Sequence, residues 1–190
     1  MIKWAGLTQG SLPVLTRFVD LIPSSGVRFA AFVADRTSSD PIARFGDPWT
    51  AYARLAQQLV LGACQPNELM TLLLDNYSTP DAIDLPGVIR ADVNRRLGGL
   101  AITTACNLDS KSTDGLQMVD LLTGAITFEF RLRAGLAGVA GPKARLAEHV
   151  RQVAGVSTYL SGARNGLMNV KLYRHTLVPN ATAPVGESSA

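Results

Sequence analysis

Apolar residues recur every three or four positions from Leu12 to Ile22, with Leu15, Phe18, Val19 and Ile22 on one face. That spacing predicts a helix, with Ser11 as its cap and Pro13 in its first turn. Pro23 to Gly26 ends it. Val27 to Ala34 alternates and then turns wholly apolar, the pattern of an interior strand. The polar stretch Asp35 to Asp47 reads as a loop, and Asp47-Pro48 opens a second helix through Trp49, Tyr52, Leu55 and Leu59 to Ala63. Glu68 to Leu74 is a second strand ending in Asp75. Tyr77 to Pro86 is a loop, Gly87 to Leu97 a short helix, and Leu100 to Asn107 a third strand rich in β-branched residues. The segment beginning at Leu108 leads into a helix that reaches Arg133. Gly-rich Ala134 to Gly141 breaks the chain; Pro142 to Val153 is a further amphipathic helix and Leu167 to Tyr173 a late strand. Strands alternating with helices give an α/β class, with helices covering a sheet.

Composition fits that picture and narrows it. With 190 residues, 47% hydrophobic and 17% charged, the chain has the length for one domain and the make-up of a folded protein. Residues from Pro179 on, rich in Ala, Ser and Pro, read as a disordered tail over 179–190. Cys64 and Cys106 form no paired motif and read as reduced core thiols. His149 and His175 have no ligand spacing with either, which argues against zinc. No run approaches the roughly 18 apolar residues of a membrane span, and the first residues, MIKWAGLTQG, have no secretory pattern. The expected location is cytoplasmic.

Charge is uneven. The net +3 divides into −3 over residues 1–130 and +6 over residues 131–190. An acidic body before a basic carboxyl-terminal third suits a protein that meets polyanions. Arg131, Arg133, Lys143 and Arg145 are the candidate nucleic-acid contacts, with Arg151, Arg164, Lys171 and Arg174 behind them. Arg131 and Arg133 equally complement a helix carboxyl end. Tyr159 and Tyr173 either stack on bases or pack in the core, and Trp4 and Trp49 read as core or interface residues.

The chemistry concentrates in LDSKSTDGLQMVDLLTG, Leu108 to Gly124. Asp120 stands among Leu116, Met118, Val119, Leu121 and Leu122, so burial is expected on nearly every helical face, and a buried carboxylate requires a partner. Gln117 lies a turn before it, and Gly124 a turn after leaves room for another backbone or a ligand. Asp114 reads as the helix N-cap, with Gln117 completing a capping-box-like pair. Asp75 ends a strand and Asp109 follows the next, where sites in α/β sheets collect. Each also reads as an ordinary turn or cap residue. Carboxylates from separate elements are the set that divalent-metal phosphodiester hydrolysis uses, which makes Asp75, Asp109 and Asp120 the candidate catalytic residues and ligands for Mg²⁺ or Mn²⁺. Ser110 and Gln117 are candidate supporting residues.

At these residues the chain resembles the uncharacterised family called domain of unknown function 3800, which is ribonuclease-H-like. The likeness lies in LLLDN, in DSKSTDGLQMVDLLTGAI, in the opening IKW with the later FVADR, and in NVKLY; it spans roughly Ile2 to Tyr173. It implies a ribonuclease-H-like mixed sheet flanked by helices over residues 1–178. It also implies a set of metal-holding acids matched here by Asp75, Asp109 and Asp120. Family members usually begin with a strand bearing Asp-Glu-Ser-Gly, and nothing equivalent precedes Lys3. The expected sheet therefore lacks its first strand and keeps an open edge, for a second copy or a partner chain to cover. Two functions follow as expectations. One is a metal-dependent nuclease-like protein acting on nucleic-acid phosphodiesters, intact or degenerate. The other is a catalytically silent binding or assembly module of a larger nucleoprotein or defence-type complex.

Overall fold

In the computed structural model, residues 3–36, 39–76 and 83–174 are described. The expected tail and most of the loop after Asp75 lie outside them. The order of elements is α1 (Leu12–Asp20), β1 (Phe29–Ala34), α2 (Pro41–Phe45), α3 (Pro48–Ala63), β2 (Met70–Asp75), α4 (Leu85–Leu97), β3 (Ile102–Leu108), α5 (Asp114–Arg133), α6 (Pro142–Val153), β4 (Ala163–Arg164) and β5 (Met168–Tyr173), with short 3-10 turns at Ile22–Ser24 and Ser110–Ser112. This is a mixed α/β fold whose strands run both parallel and antiparallel.

The strands form two ladders. β5 lies between β1, parallel to it with Phe29 opposite Met168, and the short β4, antiparallel to it. β2 and β3 form a separate parallel pair. Each ladder has its own core. Phe29, Ala31, Met168 and Val170 on one face of β1 and β5 pack with Leu15 and Val19 of α1, Leu121, Leu122 and Ile126 of α5, and Leu146 and Val150 of α6. A smaller cluster joins Ile102 of β3 and Ile89 and Val93 of α4 to Ala53 of α3, with Met70, Leu72 and Leu74 of β2 against it. Alternation on β2 explains the second arrangement: Leu72 and Leu74 point inward, while Thr71, Leu73 and Asp75 on the other face are exposed.

Local chemistry sets most boundaries. The Asp47 carboxylate accepts the Trp49 and Thr50 N–H groups at 2.9 Å each and starts α3. Hydrogen bonds from Thr50 and Trp49 hold that carboxyl below its ordinary range. Asp84 caps α4 through the Gly87 N–H at 3.0 Å. α4 therefore begins two residues before the expected Gly87, with Pro86 inside its first turn, where its missing N–H costs nothing. The expected loop from Asp35 to Asp47 contains α2, capped by Asp40. α1 stops at Asp20, and Ile22 belongs to the 3-10 turn after it. Ser11 occupies the N-cap position without capping: its hydroxyl exchanges bonds with Thr8 instead. Between α3 and α4, Asp92 gathers Arg54, Arg95 and Arg96. Burial pushes the Asp92 carboxyl up, but the Arg95 hydrogen bond and the three guanidinium charges outweigh it and hold it below its usual value. Cys64 and Cys106 are free and half-buried, and burial raises the Cys64 thiol. No helix among the described residues is long and apolar enough to cross a membrane.

Candidate functional site

Parallel pairing of β2 with β3 places Asp75 opposite Leu108, one residue before Asp109. The Asn76 N–H donates to the Leu108 carbonyl at 2.8 Å, which carries the pairing past the strand ends. Strands about 4.8 Å apart, offset by one residue of about 3.3 Å rise, put the two aspartate Cα atoms roughly 6 Å apart. Both residues are exposed. Two acidic residues thus stand at the ends of adjacent strands, at the carboxyl edge of a parallel pair.

The loop after β3 is tied down by its own polar groups. Asp109 Oδ1 accepts the Lys111 N–H at 2.8 Å, and the Asp109 carbonyl accepts the Thr113 hydroxyl at 3.1 Å. Ser110 is buried beneath the turn. Gln117, also buried, reaches back from the first turn of α5 to donate to the Lys111 carbonyl at 3.2 Å. Gln117 therefore ties the segment that presents Asp109 to α5, and Ser110 is buried within that segment. The N-cap of α5 is Thr113, not the expected Asp114; Asp114 is the first helical residue and is exposed. A carboxylate there still complements the amino end of the helix.

Asp120 is exposed, contrary to the burial that its apolar neighbours imply. α5 buries one side only, through Gln117, Leu121, Leu122, Ala125 and Ile126, and leaves Val119 45% exposed. The partner of Asp120 is the Trp4 backbone, whose N–H donates to Oδ2 at 2.7 Å. The Trp4 indole then lies on Gly124, where an added Cβ would come within 2.2 Å of Trp4 Cγ. It meets Phe128 edge-on, the ring centroids 6.0 Å apart at 63°. Asp120, Gly124 and Phe128 recur every four residues, so one stripe of α5 supplies the acceptor, the gap and the ring that receive Trp4. The space at Gly124 is filled by this chain's own amino-terminal segment.

Among the described residues, no three or more His, Cys, Asp or Glu side chains are grouped so as to hold a metal ion. Mg²⁺ is commonly held by one or two carboxylates with water and substrate phosphate completing the shell, and Asp75 and Asp109 are two carboxylates at adjacent strand ends.

The expected basic contacts divide. Arg131 and Lys143 line one cavity of about 350 Å³ with Trp4, Phe128 and Leu136, where the Gly-rich turn delivers the chain into α6. Arg133 is exposed in the last turn of α5. Arg145, also exposed, donates to Gln9. The two tyrosines are core residues. Tyr173 is buried with its hydroxyl bonded to Arg44 at 3.2 Å. Tyr159 is 1% exposed, and its phenol is pushed up to about 12 by burial and then by the charge of Glu129. Neither is available to stack on a base. Comparison with protein-family models, curated proteins and solved structures gives no match to this chain.

Proposed function

We propose that this chain is a ribonuclease-H-like domain acting on nucleic-acid phosphodiesters with Mg²⁺ or Mn²⁺, in which Asp75 and Asp109 are the principal metal-holding carboxylates. The observation that carries the reading is the register of β2 with β3, which brings these two acids from distant parts of the sequence to adjacent strand ends. A bound divalent cation there supplies a Lewis acid for the phosphoryl oxygen and an activated water. The chain's part is to hold the acids still. The Lys111 N–H and Thr113 hydroxyl fix the Asp109 turn, and Gln117 keeps that turn seated on α5.

Calorimetric titration with Mn²⁺ and cleavage of a labelled oligonucleotide test this. Asp75→Asn and Asp109→Asn are each expected to abolish Mn²⁺ binding and reduce cleavage to background. Cleavage unchanged in either variant would end the proposal. Asp120→Asn separates two roles, because the amide oxygen still accepts the Trp4 N–H while the charge is gone. Loss of Mn²⁺ binding in that variant makes Asp120 a third ligand; retention leaves it the anchor of Trp4.

A second reading, a catalytically silent assembly module, has its own support. Parallel strands are ordinarily covered on both faces. Here one face of β2 exposes Leu73 at 46%, with Leu69 at 68% and Leu100 at 65% beside the pair. A second copy of the chain is the simplest cover for that surface.

A further inference from the structure

The start of β5 carries a basic cleft that the acids at β2 and β3 do not use. It is a cavity of about 480 Å³, bounded by Arg28 and Phe29 entering β1, by Gly62 and Gln65 at the end of α3, and by Arg164 and Asn169. That volume falls in the range of small-ligand sites, about 300–1,000 Å³. No acidic residue lines it. A smaller cavity adjoins it, sharing Ala30, Gly62 and Asn169, and is lined by Lys171. Arg28, Arg164 and Lys171 are all exposed. None has a carboxylate within ion-pair distance among the described residues.

The arginines are presented by fixed backbone. Phe29 N–H donates to the Leu167 carbonyl at 2.9 Å, anchoring the residue after Arg28 to the β4–β5 turn. Asn165 fixes the turn itself: its Oδ1 accepts Leu167 N–H at 3.0 Å and Met168 N–H at 2.8 Å, and its Nδ2 donates to the Ala154 carbonyl at 2.7 Å. Arg164 pairs with Asn169 on one side of β5, and Arg28 precedes the residue paired with Met168 on the other. Two strand spacings of about 4.8 Å and a two-residue offset of about 6.6 Å along the strands then set the arginine backbones roughly 12 Å apart, astride β5. The carboxyl end of α3 opposes an anion, but its dipole amounts to only about −0.5 charge. Two guanidiniums and a nearby ammonium exceed it several-fold.

We propose that this cleft binds phosphate oxyanions, with Arg28 and Arg164 as the recognising groups and Lys171 adding charge, and that the phosphates belong to a nucleic-acid backbone. Arginine suits the role because its planar fork meets a phosphate through two donors. The source of the phosphate, not the presence of an anion site, rests on the function proposed above.

The test is anisotropy of a labelled single-stranded oligonucleotide over a salt series in EDTA, where binding needs no metal and so does not depend on Asp75 or Asp109. Each phosphate contact on a single strand contributes about 0.7 to the slope of log K against log salt. Arg28→Gln/Arg164→Gln is expected to flatten the slope by about 1.4 and weaken binding, and Arg28→Lys/Arg164→Lys to keep the slope. A glutamine pair with unchanged affinity and slope overturns nucleic-acid contact at this cleft, and leaves the metal reading standing if Asp75→Asn still abolishes cleavage. Calorimetry with inorganic phosphate separates the sources. Heat lost in the glutamine pair while oligonucleotide binding is unchanged assigns the cleft to a free phosphate ligand. Absence of both effects removes the site altogether.

Discussion

Gly124 is the residue whose role is easiest to isolate, because two opposing effects of a single methyl group act there. Within a helix, replacing glycine by alanine stabilises by about 0.5–1 kcal/mol. At this position the new Cβ meets the Trp4 ring at 2.2 Å, and overpacking of that kind costs about 1–3 kcal/mol. Gly124→Ala is therefore expected to destabilise the native chain. In a Trp4→Gly background, where the ring and the Cβ that would lie 2.7 Å from the new methyl are both gone, the same change should stabilise by about 0.5–1 kcal/mol. The reversal of sign is the signature, read by chemical denaturation of the four chains of the cycle. There are two tryptophans, so a Trp49→Phe background leaves Trp4 as the only indole, and Gly124→Ala should red-shift its emission as it leaves α5. If Gly124→Ala is equally stabilising with and without Trp4, the docking of Trp4 on α5 is wrong. The same contact explains why Asp120 misleads in the sequence. Its exposed side is the face that receives a segment more than a hundred residues away, and nothing near Asp120 in the chain records that.

At the scale of elements, boundaries are legible where a cap and a proline coincide. Asp47-Pro48 and Gly141-Pro142 give α3 and α6 to the residue, since both signals act within one turn. Asp40-Pro41 carries the same signal, yet α2 has five residues, too few for apolar periodicity to show. β4 has two residues and exists only because β5 lies beside it, so it has no pattern of its own. Adjacency of Asp75 and Asp109 is half-legible: each ends a strand in the sequence, but that the strands are parallel neighbours in this register is a tertiary fact. Arg28 carries no sequence signal, since it stands in the acidic part of the chain, far from the basic third. The second core depends on one further non-local device. Asn94 of α4 accepts the Ala101 and Ile102 N–H groups at 3.0 and 2.8 Å and donates to the Ile102 carbonyl at 2.9 Å, joining the helix to the first residues of β3. At about 1 kcal/mol per bond, Asn94→Ala is expected to cost about 2–3 kcal/mol in urea denaturation. Asn94→Asp keeps the acceptor and loses the donor, so it should fall between. A loss under about 0.5 kcal/mol for the alanine variant, the level of an ordinary surface change, would mean that β3 is held by its apolar contacts alone.

Over the whole molecule, the two ladders differ in how completely they are covered. β1 and β5 carry their main core against α1, α5 and α6 on one face, and on the other α3 adjoins Ala30, Phe32 and Lys171. β2 and β3 have α3 and α4 on one face, while Leu73 faces outward. Isolated two-stranded sheets are marginal in water, so this pair relies on its single apolar face and, among the described residues, has edges that no other strand pairs. Association of two copies through β2 would bury Leu73 without disturbing either core. Sedimentation velocity over a hundredfold range of protein concentration distinguishes the outcomes. The native chain is expected to shift from monomer to dimer, and Leu73→Lys to remain monomeric with an unchanged unfolding midpoint, because the lysine stem stays on the surface and its charge in water. Dimerisation that persists in Leu73→Lys places the contact elsewhere. A native chain that stays monomeric throughout removes the self-assembly reading and leaves the acids at the ends of β2 and β3 as the reason for that exposed edge.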